Sequence, residues 1–101
     1  MARTLPRPTA VTPLARDMAA LGRLVRNRRA QSELRIDDAA DMLGVSKDVL
    51  SRLENGRSVS LDKLFKVLDG LGLNMLVFTN QQTSAVLDVV EPPAAQASEK
   101  P

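Results

Sequence analysis

The sequence predicts a mainly α fold: a bundle of four to five short helices, followed by one C-terminal β-strand that pairs across a dimer. Three observations predict it. Apolar residues recur at helical spacing in successive segments between residues 12 and 72, bounded by residues that cap and stop helices. The stretch 36–56, IDDAADMLGVSKDVLSRLENG, reads as two short amphipathic segments meeting at a glycine. Residues 73–79, LNMLVFT, are instead rich in residue types that suit a strand.

Composition limits what these elements can build. At 101 residues there is room for one small domain. Apolar residues make up 44% of the chain, with two Phe and neither Trp nor Tyr, so the core must be Leu, Val, Ala and Met. The absence of Cys and His removes disulfides and Cys/His metal sites, and with them the usual nucleophiles and bases. There is also no glycine-rich phosphate loop and no pair of carboxylates with a plausible cleft. Asp37, Asp38 and Asp41 lie close together, but a helix N-terminus accounts for the first two. The expectation is a protein without catalysis or cofactor. No apolar run is long enough to span a membrane, and MARTLPRPTAVTP lacks the apolar stretch of a secretion signal. A cytoplasmic, nucleoid-associated location follows by default.

Net charge is only +2, and its distribution says more than its total. Residues 1–35 carry eight Arg (3, 7, 16, 23, 26, 28, 29 and 35) against Asp17 and Glu33, a balance of +6. Residues 58–101 carry Lys63, Lys66 and Lys100 against Asp62, Asp69, Asp88, Glu91 and Glu99, a balance of −2. The first third of the chain is built to meet anions and the last is not.

Residues 1–11 lack helical periodicity and read as a flexible arm. Arg3 and Arg7 either reach along a DNA groove or belong to a tail with no role. Thr12 and Pro13 suit the N-cap and first position of a helix. Leu14, Met18, Leu21, Leu24 and Val25 then give that helix its inner face out to about Ala30. Arg23, Arg26, Arg28 and Arg29 crowd its second half, where the helix dipole favours cations. In the second helix, Asp37 and Asp38 occupy the first turn, and Ala39, Ala40, Met42 and Leu43 form a small apolar face. Gly44 reverses the chain, Val45 is apolar inside the turn, and Ser46 caps the third helix. There Val49, Leu50 and Leu53 point inward and Ser46, Lys47, Asp48, Ser51 and Arg52 are left facing out, before Asn55-Gly56 stops the helix. Two short helices joined by a tight glycine turn, the second with an exposed polar face, make a helix-turn-helix.

Ser60 caps a fourth helix with Leu61, Leu64, Val67, Leu68 and Leu71 on its inner face and Phe65 alongside; Gly70 and Gly72 end it. In the strand that follows, Leu73, Met75 and Val77 point one way and Leu76 and Phe78 the other, so both faces are apolar. A single strand has no backbone partner, and buried unpaired amides are costly. Two partners are open to it: the same strand of a second subunit, which the reading favours, or residues 85–90 (AVLDVV) folding back as a hairpin. Either arrangement leaves apolar surface that argues for a homodimer. Residues 80–101 form a C-terminal extension, and EPPAAQASEKP at its end has the composition of a disordered tail. The compact unit is thus 12–79.

The run LGVSKDVLSRLENGR resembles the core of the Xre/Cro/C1-type helix-turn-helix family, the phage-repressor fold. The likeness continues through SLDKLFKVLDGLGLNMLVF, which is similar to HipB-type antitoxins and their solitary regulator relatives, and covers residues 14 to 79. It implies a lambda-repressor-like bundle, a buried ion pair between Arg29 and Glu54 that braces the motif, and an intersubunit sheet from residues 73–78. The chain departs from the family pattern in three places. Glu33 stands where the loop usually carries Gly, so the loop is expected to take another path. Arg35 stands in place of the usual Ser or Thr N-cap, and Ile36 where many relatives carry a phosphate-binding Gln.

Groove geometry turns the resemblance into an interface. The major groove admits one helix, and only residues near its N-terminus and on its outer face reach base edges. Those are Ser46, Lys47, Asp48, Ser51 and Arg52 on the helix 46–55. Arg23, Arg26, Asn55 and Arg57 are the expected phosphate contacts. The function expected is a sequence-specific transcriptional repressor, binding double-stranded DNA as a homodimer on an inverted repeat. The alternative is a type II antitoxin that represses its own operon and also sequesters a toxin, such as a HipA-like kinase. A third reading, an interaction module that has lost DNA binding, draws on Asp48 and the missing Gln.

Overall fold

A computed structural model describes residues 12–91. They form five α-helices: α1 (Met18–Gln31), α2 (Ile36–Leu43), α3 (Lys47–Glu54), α4 (Leu61–Leu71) and, after a 3₁₀ turn at Asn80–Gln82, α5 (Thr83–Val90). The arm 1–11 and the tail from 92 lie outside the described residues. None of the described helices is long and apolar enough to cross a membrane.

Helices α1 to α4 close around one core. Val25, Leu50, Leu53 and Val67 are fully buried, with Ala39, Ala40, Leu43, Leu64, Leu68 and Leu71 packed around them. Each large aliphatic side chain removed from water contributes about 1.5–3 kcal/mol. With no bulky aromatic inside, helices can approach only where side chains are small. Gly22 is the clearest case: a Cβ built there would meet the Leu53 carbonyl oxygen and lie 2.7 Å from that of Glu54. The missing side chain lets α1 lie on the end of α3, the most extensive helix contact in the fold.

α1 starts later than its sequence suggests. Thr12 and Pro13 do not open the helix; Asp17 does, its backbone extended and its carboxylate accepting the Ala20 N–H at 2.8 Å. A carboxylate at the N-cap satisfies an orphan amide and meets the positive helix end, which outweighs the preference for Thr-Pro. The Thr12 hydroxyl accepts from the Leu14 N–H at 3.3 Å instead, in a local turn.

The α1–α2 loop also differs from expectation. Glu33 does not divert it; the residue takes the left-handed conformation itself, at φ 56°. The neighbouring bonds leave no other path: Ser32 N–H donates to the Arg28 and Arg29 carbonyls, Glu33 N–H to that of Ala30, and Leu34 N–H to that of Arg29. Arg35 sits at the α2 N-cap with no side-chain cap. The left-handed geometry costs a non-glycine residue about 1–2 kcal/mol. Glu33→Gly is therefore expected to raise stability by about 1 kcal/mol despite glycine's greater chain entropy, read as a higher urea midpoint. An unchanged or lower midpoint would contradict the strain.

Two apolar residues assigned to inner faces are largely exposed, Met42 at 56% and Leu61 at 66%, and Phe65, expected alongside, is 49% exposed. In α2 the small faces of Ala39 and Ala40 with Leu43 suffice, and the Leu43 side chain reaches the place a Cβ on Gly70 would occupy. In α4 the wall is Leu64, Val67, Leu68 and Leu71, so Leu61 and Phe65 fall on its flank.

The C-terminal part corrects the sequence reading most. Residues 73–79 form no strand among the described residues, although Leu73 still donates its N–H to the Leu68 carbonyl at 2.8 Å. Residues 85–90 are not a hairpin strand either; they lie inside α5. The reason is local. Thr79 N–H donates to the Gln82 carboxamide oxygen at 2.9 Å, Gln82 N–H returns to the Thr79 carbonyl at 3.0 Å, and the Thr83 hydroxyl donates to that same carbonyl. This turn winds directly into i→i−4 bonding, which satisfies the amides of Thr79, Gln82 and α5, though not those of 74–78, without a partner from elsewhere in the chain. α5 packs on the 3₁₀ turn and makes no comparable contact with the four-helix body.

Candidate nucleic-acid interface

The site is assembled from the turn outward. Gly44 closes α2 in the left-handed conformation, at φ 75°, where a side chain would be strained. Two residues later Ser46, with extended backbone, accepts the Val49 N–H on its hydroxyl at 3.0 Å and starts α3. Leu50 and Leu53 are fully buried beneath it and Val49 is half-buried. With that face fixed, helical geometry sends Lys47, Asp48, Ser51 and Arg52 to the opposite one. Ser46, Lys47, Asp48 and Arg52 are exposed, and Ser51 is partly so.

These side chains are not equally free. Lys47 and Asp48 have no hydrogen-bond partner among the described residues. The Arg52 guanidinium, by contrast, donates from Nη2 to the Ser58 carbonyl at 3.0 Å. The Arg57 N–H donates to the Arg52 carbonyl at 2.8 Å, so Arg52 is bound to the following loop from both ends. Asn55 is also engaged: its carboxamide nitrogen donates to the Ser51 carbonyl at 2.8 Å and closes the end of α3.

Cations flank this helix end. Ala19 of α1 lies against Gly56, and Gly22 against the carbonyls of Leu53 and Glu54. One turn further along α1 from these contacts are Arg23 and Arg26, both exposed. Arg57, also exposed, follows Gly56 in the loop after α3. Arg35 is exposed at the N-cap of α2, whose first turn nonetheless holds Asp37 and Asp38.

Beneath the surface lies the ion pair. Arg29 Nε and Nη2 donate to the two Glu54 carboxylate oxygens at 2.6 and 2.7 Å, with side chains 7% and 5% exposed. Arg29 Nη1 also donates to the Leu34 carbonyl at 2.9 Å. One guanidinium therefore ties together α1, the strained loop before α2 and the last turn of α3. Arg28 has a role the sequence did not suggest. Its Nε donates to the Leu71 carbonyl at 2.8 Å, capping the C-terminal end of α4 and joining it to α1.

A short α2, a left-handed glycine, a capped α3 with a polar outer face, and cations at its far end define a helix-turn-helix protein. The helix-turn-helix family profile matches residues 25–78, just over half of the chain, and the chain belongs to that family, the Xre/Cro/C1 type. It is a DNA-binding transcription regulator. No curated protein matches the chain.

Proposed function

We propose that the protein is a repressor that binds an inverted-repeat operator as a homodimer, through the outer face of α3. The observation that carries this reading is that face itself, held rigidly by the Ser46 cap and buried Leu50 and Leu53. With α3 in the major groove, Lys47 donates to guanine O6 and N7, Asp48 accepts from a cytosine amine, and Ser46 and Ser51 reach base edges or phosphates. Arg52 donates either to a guanine or, while bound to Ser58, to the backbone beside it. Arg23, Arg26, Arg57 and Asn55 contact phosphates and set the register of the helix. The reading needs no cofactor or catalysis, and it places the protein at the nucleoid.

The dimer rests on residues 73–78. Among the described residues, the amides of 74–78 have no hydrogen-bond partner, while Met75, Leu76 and Val77 are 47%, 64% and 86% exposed. Pairing with the same segment of a second copy satisfies the amides and covers the side chains. The twofold relation then sets two α3 helices about one DNA turn apart. The antitoxin reading has one feature in its favour: Val89 and Val90 of α5 are 78% and 50% exposed, apolar surface suited to a second protein.

Selection of bound fragments from genomic DNA at about 150 mM salt, which suppresses the purely electrostatic term, tests the reading. An enriched inverted repeat with half-sites about one turn apart is expected. Recovery of fragments with no common sequence would contradict it.

A further inference from the structure

Asp48 stands four residues before Arg52, the spacing at which an acid and an arginine on one helix ordinarily pair. Among the described residues that pair is not made. The Arg52 guanidinium donates from Nη2 to the Ser58 carbonyl at 3.0 Å instead. The chain beyond α3 is shaped to present that carbonyl. Gly56, at φ 78°, donates its N–H to the Leu53 carbonyl at 3.1 Å, and Arg57 donates to the Arg52 carbonyl at 2.8 Å. These are the paired bonds that close a helix through a left-handed glycine. A Cβ on Gly56 would lie 3.1 Å from Ala19 Cα, so the same turn is pressed against α1. The head of Arg52 is therefore anchored to a loop that is itself held by both α3 and α1.

We propose that Arg52 reads no base and holds a DNA phosphate, which divides the outer face of α3 into a reading half at 46–48 and a gripping half at Arg52 and Arg57. The inference rests on α3 as the DNA-binding helix and assigns its parts. In the major groove the residues near a helix N-terminus reach base edges. Arg52 lies about 7.5 Å further along the axis than Lys47, at 1.5 Å per residue. A guanidinium carries its N–H donors in a rigid fork. With one donor bound to Ser58, an edge of that fork is left that matches two oxygens of a phosphate. Ser58 directly follows Arg57, so the anchor draws the Arg52 head to the loop that already carries an exposed cation. The pair that is not made matters as well. Asp48 keeps a carboxylate without a partner among the described residues, and a cytosine amine can donate to it with no arginine competing.

DNA binding by the full chain tests this with Arg52→Ala and Arg52→Lys. On a duplex of arbitrary sequence, titrated at several salt concentrations, Arg52→Ala should bind about tenfold more weakly, the worth of one charge-assisted hydrogen bond. The slope of log affinity against log salt should fall by about 0.9 for each protomer bound. Arg52→Lys should keep the slope, because it keeps the charge. It should recover only part of the affinity, because an ammonium has no fork to hold carbonyl and phosphate together. In fragment selection all three proteins should enrich the same sequence. An unchanged slope in Arg52→Ala would reduce Arg52 to a brace of the loop and overturn the phosphate contact. A changed base preference at one position of each half-site, in either variant, would make Arg52 a reader, overturning the inference and leaving the repressor standing. Should Arg52→Ala fail to fold, Arg52→Lys decides by the same selection. A wild type that enriches no sequence overturns the repressor reading, while the slope on the arbitrary duplex still decides whether Arg52 holds a phosphate.

Discussion

The Arg29→Met variant is expected to lose about 3–5 kcal/mol of stability, the penalty for leaving one member of a buried ion pair without the other. The Glu54 side chain is 5% exposed, and both of its oxygens accept from Arg29. Without the guanidinium its charge has neither water nor a partner. Against a total of about 5–15 kcal/mol for a small domain, the variant sits close to unfolding. A urea midpoint lowered by more than about 1 M, given slopes of about 1–3 kcal/mol per molar, is the expected reading. The double variant Arg29→Met/Glu54→Leu removes both charges and should recover most of the loss. It should still fall short by about 1 kcal/mol, because the Leu34 carbonyl loses the Nη1 donor. A single variant that costs less than about 1 kcal/mol would mean that water reaches the pair.

The second large effect is at Gly22. In an exposed helix interior, Gly→Ala gains about 1 kcal/mol of helix propensity. At Gly22 the sign should reverse, with a net loss of about 2 kcal/mol, since the added methyl would press on the backbone carbonyls of Leu53 and Glu54. Backbone cannot turn aside as a side-chain tip can, so α1 must move away from α3. That movement lengthens the Arg29–Glu54 bonds and shifts α3 relative to Arg23 and Arg26. DNA affinity should therefore fall even under conditions where the variant stays folded. A variant with wild-type stability and affinity would show that α1 and α3 have slack between them.

The motif at the centre was legible because its signals are local. Gly44, Ser46 and the spacing of Leu50 and Leu53 determine a turn, a cap and a buried face within a dozen residues, and the structure keeps all three. What the sequence could not show depends on distance. Gly22 looks like a flaw in a helix until α3 is laid across it. Arg28 resembles its neighbours until the Leu71 carbonyl is seen 2.8 Å away. Glu33 argued for a different loop, but the bonds around it outweigh a local cost of about 1–2 kcal/mol. The less favoured strand partner, AVLDVV, was suggested by β-branched residues whose preference yields when a capped turn starts a helix just upstream. At the reading face, exposure could be read from periodicity, whereas the hold of Ser58 on Arg52 could not.

The central claim is that α3 reads DNA sequence with its outer face, and Lys47 tests it most directly, being exposed and free of partners among the described residues. The measurement is fragment selection at about 150 mM salt, run in parallel with wild type and Lys47→Ala. The account predicts that wild type enriches one inverted repeat and that the variant loses that enrichment, with its urea midpoint unchanged. Enrichment of the same repeat to the same degree by both proteins would contradict it.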